Sequence, residues 1–205
     1  MIENIGIAPE SGTATFYVND EKSEFSSFEP AIAGRNGMKT HPVTVQAVTF
    51  GELLAKHGVP YYLKVDIERA DGLCLMALDA RDLPKYVSIE AHELEYLLRL
   101  WCLGYRHFKV IDQMRHNAIT PLASSEDILS RAVKHTFWYV DRLHNKLGRN
   151  LRFAPASSGP FGEETPGEWQ TLEDVAYNWI HLNKGYSKRG TLNRRSWHDF
   201  HAKRD

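Results

Sequence analysis

The segment Tyr61-Tyr62-Leu63-Lys64-Val65-Asp66-Ile67-Glu68 carries the strongest chemical signal in the sequence. Side chains on a strand alternate in direction, so Leu63, Val65 and Ile67 point one way and Lys64, Asp66 and Glu68 the other. Three charged groups on one face of a buried strand are costly unless they reach water, a partner or a ligand. A second run, Tyr86-Val87-Ser88-Ile89, also ends in polar chemistry, at Glu90 and His92. If the two strands are neighbours, Asp66, Glu68, Glu90 and His92 converge at one rim, and in open α/β sheets the carboxyl ends of the strands are where ligands bind. Carboxylates and imidazole there suit general base work on a hydroxyl, or ligation of a divalent cation. The plainer alternative is local: Lys64 pairs with Asp66 or Glu68, and Glu90 and His92 open a helix whose dipole favours acidic side chains.

The surrounding elements place these residues. Short strands are expected within Asn4–Ala8, at Thr13–Val18 and at Val43–Val48, with a polar, mobile loop over residues 19–40. Thr49-Phe50-Gly51-Glu52 is a capping box that starts a helix ending near Gly58. A strand over Tyr61–Ile67, a helix around Ala70–Leu78 and a strand over Tyr86–Ile89 follow. Leu94, Leu97, Leu98 and Trp101 then repeat at helical spacing and read as a buried stripe, stopped by Gly104, before a strand over Phe108–Ile111. This alternation predicts a mostly parallel sheet covered by helices on both faces. Beyond Asp112 the pattern weakens. Ser124–Asp127 would cap a helix running to about Leu147, and residues 154–168 form a Pro/Gly/Ser loop that reads as a surface loop or lid able to line a pocket. Thr171–Asp174 caps another helix, and the basic carboxyl terminus reads as a solvated tail with Trp197 and Phe200 as anchors.

Composition narrows the function classes. A formal charge of -1 over 205 residues argues against a general nucleic-acid binder. The ten His residues are scattered and form no metal tract, and Cys74 and Cys102 have neither zinc-site nor disulfide-framework spacing. No metal site is therefore assigned, and a reducing, cytoplasmic setting is expected. Neither a signal peptide nor a membrane span is visible in the sequence. The loop from Gly159 to Gly167 lacks the Gly-Lys-Ser/Thr of a phosphate loop, and Ser158 has no evident His/Asp pairing.

Lys64-Val65-Asp66-Ile67-Glu68-Arg69-Ala70-Asp71 resembles the Lys-x-Asp-x-Glu-Gly-x-Glu segment of FkbM-type methyltransferases. Val48–Leu54 resembles that family's short helix before the strand, Tyr86–Glu90 its next strand, and Glu3–Val18 its preceding strand and hairpin. The resemblance spans residues 3–112, and Ser157–Glu163 and Trp197–Ala202 resemble features of one branch of the family. Arg69 stands where the family has Gly, and Asp71 where it has a second Glu. The family's Gly-rich turn, which wraps the methionine part of the cofactor, and the acid that holds its ribose have no counterpart before Asn4.

The resemblance implies an α/β, Rossmann-like methyltransferase sheet that is N-terminally incomplete. Residues 1–115 would form the core, and residues 116–205 an irregular, partly helical C-terminal extension. It implies S-adenosylmethionine as cofactor, with Asp66 near it and the remaining cofactor contacts upstream of Met1. The reaction would be methyl transfer to a hydroxyl of a small molecule or sugar, with Asp66 and Glu68 near the cofactor and acceptor and Glu90 or His92 as base. No membrane or nucleic-acid partner is expected. A sheet lacking strands would expose an edge, leaving the chain either unstable alone or covered there in a homodimer. Two other readings stand beside this one: a non-catalytic binding domain derived from the fold, and a metal-dependent hydrolase using the Asp66/Glu68/Glu90/His92 rim.

Overall fold

The computed structural model describes residues 2–67, 70–113, 116–119, 159–187 and 197–205. Glu68, Arg69 and the expected helix from Ser124 to Leu147 lie outside the described residues. The amino-terminal part is a small sheet of three strands, β1 (Gly6–Ile7), β2 (Gly12–Asn19) and β3 (Thr40–Val48), in the order β1-β3-β2. β2 and β3 pair antiparallel from Gly12↔Ala47 to Asn19↔Thr40, and β1 runs parallel to β3. The segment between β2 and β3, expected as a mobile loop, is folded into two short 3-10 turns and a four-residue helix, α1 (Pro30–Ala33). It is fastened from within: the buried Asn19 donates from Nδ2 to the Ala33 carbonyl at 2.6 Å and accepts from the backbone N–H groups of Glu21 and Lys22 at 2.9 and 2.7 Å.

Helix α2 (Phe50–His57) begins with the expected capping box. Thr49 Oγ1 accepts from the Glu52 N–H at 3.2 Å, and Glu52 Oε2 accepts from the Thr49 N–H at 3.0 Å. Ser11 also bonds Glu52, tying the hairpin to the helix start. The main body follows as β4 (Tyr62–Val65), α3 (Asp71–Ala77), β5 (Tyr86–Glu90), α4 (Leu94–Leu103), β6 (His107–Asp112), β7 (Asn117–Ala118), α5 (Leu172–Ser187) and β8 (His198–Lys203). Helix α4 stops at Gly104, whose φ of 114° is one that side chains with a Cβ rarely adopt.

The five strands order as β4-β5-β8-β6-β7. β4 and β5 are parallel, and β8 is antiparallel to both β5 and β6. The sheet is thus mixed rather than mostly parallel. The expected solvated tail is corrected at the same point, because His198–Lys203 is the sheet's central strand and its Phe200 and Ala202 are fully buried. Among the described residues the outer edge of β4 has no strand partner.

Most strand positions were expected to be apolar, as in a sheet buried on both faces, but the apolar residues concentrate on one face. Leu63 and Val65, Val87 and Ile89, Phe108 and Val110, Phe200 and Ala202 form that face and join Cys74, Leu75, Leu97, Leu100, Leu103 and Val175 in one core cluster under α3, α4 and α5. The expected stripe on α4 holds only in part. Leu97 is buried, but Leu98 and Trp101 are 44% and 42% exposed, and the inward set is Leu97, Leu100 and Leu103. A 3.6-residue period fits both stripes, and the packing partner decides between them.

Phe200 joins the core from the central strand, with its ring 6.1 Å from that of Trp179 on α5. Phe200→Ala should cost about 3–5 kcal/mol, read as a lower denaturation midpoint with an unchanged slope. A loss below about 1 kcal/mol would mean that β8 is not part of the cooperative core.

Candidate functional site

The opposite face of the sheet is polar, and strand register sets its layout. Lys64, Ser88, His201 and Lys109 lie in one row across β4, β5, β8 and β6. Two residues along, Glu90 pairs with Asp199, and Asp66 lies one residue beyond the Val65↔Ile89 pair. In the other direction Tyr62, Tyr86, Lys203 and His107 form a third row. These positions alternate with the apolar set, so all of them project to the same side.

The structure brings Asp66, Glu90 and His92 together at the carboxyl rim of the parallel pair. His92 Nε2 lies 2.9 Å from Glu90 Oε2. Lys64 Nζ sits 3.1 Å from Asp66 Oδ2 and 3.4 Å from Asp199 Oδ2. The ion pair weighed as the plainer reading therefore exists, but it is one arm of a larger cluster. Among the described residues no group of three or more His, Cys, Asp or Glu side chains is arranged to hold a metal ion.

Asp199 is the residue that sequence reasoning missed. It is 1% exposed, and its carboxyl is pushed up to about 7. Burial is the main cause; Lys64 opposes it, and Asp66 and Glu90 add to the rise. Burial alone would lower the Lys64 ammonium, but Asp199 and Asp66 outweigh it and hold Lys64 above the usual lysine value. His201 beside them is held down to about 3, by burial first and then by Lys64 and Lys109, so its ring is neutral at physiological pH. The one signal in the sequence was the alternation of Asp199, His201 and Lys203 with Phe200 and Ala202.

A strap formed by residues 161–170 crosses the other end of this face. Phe161 stacks on Tyr62 with centroids 4.2 Å apart, and Tyr62 in turn shares a 2.6 Å hydrogen bond with Ser88. Glu163 accepts from Tyr86 OH at 3.1 Å, Lys203 Nζ at 3.0 Å and Trp169 Nε1 at 2.9 Å. These donors hold its carboxyl down at about 2, with Trp169 the largest cause and Lys203 next. Buried Lys109 donates to the Thr165 carbonyl and to its Oγ1, each at 3.0 Å, and lies 4.3 Å from the Trp169 ring centroid. Desolvation brings the Lys109 ammonium down to about 8. Gly162 has φ of 61°, and a Cβ there would lie 3.1–3.2 Å from the Tyr86 ring, so the close pass of the strap requires glycine. Gln170 then pairs with Phe108 through two 2.9 Å backbone hydrogen bonds, and the chain turns around β6 into α5 on the apolar face. The described part of the loop anticipated as a surface loop or lid, residues 159–168, is thus bolted to the sheet, and residues 154–158 lie outside the described residues.

A separate apolar groove of about 440 Å³ runs along the free side of β4, lined by Ile5, Ile7, Phe50, Leu53, Leu54 and Leu63 among others. Cys74 is buried and its thiol is pushed up to about 12, chiefly by burial, so it is unreactive at neutral pH. No described helix is long and apolar enough to cross a membrane.

Lys64 is the cation that keeps Asp66 and Asp199 tolerable at one another's side. Lys64→Met should cost about 3 kcal/mol at pH 8, as expected for removing one partner of a largely buried pair. The loss should shrink as the pH falls through about 7, where Asp199 takes up its proton. Chemical denaturation at both pH values reads this, and a pH-independent loss would contradict the electrostatic account.

No curated protein and no solved structure matches this chain. A family model does: the methyltransferase FkbM domain matches residues 1–118, more than half of the 205. That stretch contains β4, β5 and the rim residues Asp66, Glu90 and His92, and the chain belongs to the FkbM methyltransferase family.

Proposed function

We propose that this chain is an S-adenosylmethionine-dependent O-methyltransferase acting on a hydroxyl of a small molecule or sugar. The observation that carries the reading is the acidic rim at the carboxyl ends of two adjacent parallel strands, lying within the stretch that matches the family. The finer fold reading belongs here as well: parallel β4 and β5 under α3 and α4 support the Rossmann-like methyltransferase sheet.

The residues present fit the cationic end of such a cofactor. Among the described residues Asp66 and Asp199 flank one ammonium, Lys64, and Glu90 lies beside Asp199, so negative charge is in excess. Asp66, 34% exposed at the rim, is the carboxylate best placed to accept from ammonium or hydroxyl donors. When bound, S-adenosylmethionine supplies an electrophilic methyl group. The protein's own work is to orient the acceptor and take up one proton. Glu90 and His92 form the pair suited to the proton. The carboxylate orients the ring and stabilises its imidazolium, and the imidazole, 33% exposed, can reach an acceptor at the rim. Asp66, Glu90 and His92 are therefore assigned to the site, and Glu68, outside the described residues, is assigned by the family resemblance alone.

The metal-hydrolase alternative needs Glu68, which lies outside the described residues; the described residues alone form no group of three or more metal-ligating side chains. The binding-domain alternative differs from the proposal in its lack of turnover. Transfer of a radiolabelled methyl group from S-adenosylmethionine to a mixture of sugars and small alcohols, followed for wild type, Asp66→Asn and His92→Ala, separates the readings. Each variant should lose about 10²–10⁴-fold in rate. Unchanged rates would remove these residues from the mechanism, and no transfer by a folded wild-type chain would contradict the enzyme reading.

A further inference from the structure

Among the described residues, four buried polar atoms on or beside β8 have no hydrogen-bond partner: Gln113 Oε1, Trp197 Nε1, Asp199 Oδ1 and His201 Nε2. They are neighbours. Asp199 and His201 occupy alternate positions of β8 and project to the polar face, and Trp197 precedes the strand by one residue in the same alternation. Gln113 is fixed beside Trp197 by a 2.8 Å backbone hydrogen bond. Asp199 and His201 are 1% and 2% exposed, and Gln113 is 1% exposed. Native proteins leave few such atoms unpaired, because each costs its full desolvation. Four in one patch, adjoining the rim of Asp66 and Glu90, point to a ligand that completes them.

Their chemistry selects the ligand. Gln113 Oε1 and an ionised Asp199 Oδ1 only accept, Trp197 Nε1 only donates, and the neutral His201 ring nitrogen can do either. An anion would leave both acceptors unpaired and would meet Asp66, Glu90 and Asp199. A cation would leave the indole unpaired, and an apolar group would leave all four. Hydroxyl groups both donate and accept, so several on one molecule can satisfy the whole set.

We propose that the polar face of β8 is a binding subsite for a neutral polyhydroxylated ligand of the sugar class, held by Gln113, Trp197, Asp199 and His201. It rests on the methyltransferase reading only in naming that ligand as the methyl acceptor; the subsite itself does not need it. The strap bounds the subsite on the far side through Lys109, which shares a row with His201. The acceptor hydroxyl would then lie toward Glu90 and His92, with its other hydroxyls on β8.

Two measurements on the full chain test this. The first is saturation-transfer NMR with a mixture of neutral methyl hexosides and pentosides, with cyclohexanol as a single-hydroxyl control. Ring-proton signals are expected for at least one sugar, and not for cyclohexanol. Asp199→Asn should weaken them at least tenfold, because the amide replaces one acceptor position by donors. No sugar signal from the folded wild type would overturn the subsite and leave ordered water as what satisfies the four atoms. An undiminished signal in the variant would overturn it too. S-adenosylhomocysteine affinity, measured in parallel, separates the two claims: its absence beside intact sugar binding sinks the methyltransferase reading alone.

The second measurement needs no ligand. Among the described residues, Asp199 faces Lys64 from β4, Asp66 just beyond it, Glu90 from β5 and His201 on its own strand; β6 presents uncharged Ile111 in register, and Lys109 beside His201. Its folded pKa lies above the unfolded value, so its contribution is full at about pH 4 and is lost as the pH rises through about 7. A group kept for binding rather than for stability should therefore be costly at pH 8. Asp199→Asn should raise the melting temperature there by about 2–4 °C and flatten its decline between about pH 4 and pH 8. A lower melting temperature at every pH would assign Asp199 a structural role and overturn the proposal.

Discussion

The antiparallel insertion of β8 between β5 and β6 is the constraint on which the rest of the structure depends. Its backbone satisfies both neighbours, from Tyr86↔Lys203 to Glu90↔Asp199 on one side and from His107↔Lys203 to Asp112↔His198 on the other. The same six residues supply Phe200 and Ala202 to the core and Asp199, His201 and Lys203 to the opposite face. Without this strand, β5 and β6 would be separate edges, and Lys64 would lack one of its two carboxylate partners. Folding energy and site chemistry are thus coupled through alternate residues of one strand.

The two faces divide the work. The helices on the apolar face cover aliphatic and aromatic side chains, and that burial supplies most of the stability. The polar face is a cost that local pairing offsets in part: Tyr62 with Ser88, Lys64 with Asp66 and Asp199, Lys109 with Thr165. The strap pays for its own ordering through Glu163, which collects three donors, and through the stack of Phe161 on Tyr62. At the rim the pairing is incomplete, and there burial pushes the carboxyl of Asp199 up to about 7. A perturbed buried group with specific charge partners is a candidate for a functional site.

The elements between residues 43 and 112 were legible because each carried a local signal: the capping box at Thr49, the strand runs at Tyr62 and Tyr86, the glycine stop at Gly104. Asp66, Glu90 and His92 were legible for the same reason, since adjacent parallel strands bring their ends together. Asp199 was not, because its meaning depends on a partner 135 residues away, Lys64. Charged residues at alternate positions of a short terminal segment read as solvated tail until a second strand is known to lie on each side. The inward face of α4 was misjudged similarly, since Leu97 belongs to both stripes and only the sheet below selects Leu100 and Leu103 over Leu98 and Trp101. Lys109 was hidden within an apolar run, where only the strap explains a buried ammonium.

The central claim is that the acidic rim at the ends of β4 and β5 belongs to a cofactor-using methyltransferase. Calorimetric titration of the purified chain with S-adenosylmethionine and with its demethylated product addresses it most directly. The account predicts micromolar binding of both, weakened at least tenfold by Asp66→Asn. A folded chain that gives no binding heat with either compound at any temperature tried would contradict it, and would leave the family match as a statement of ancestry alone.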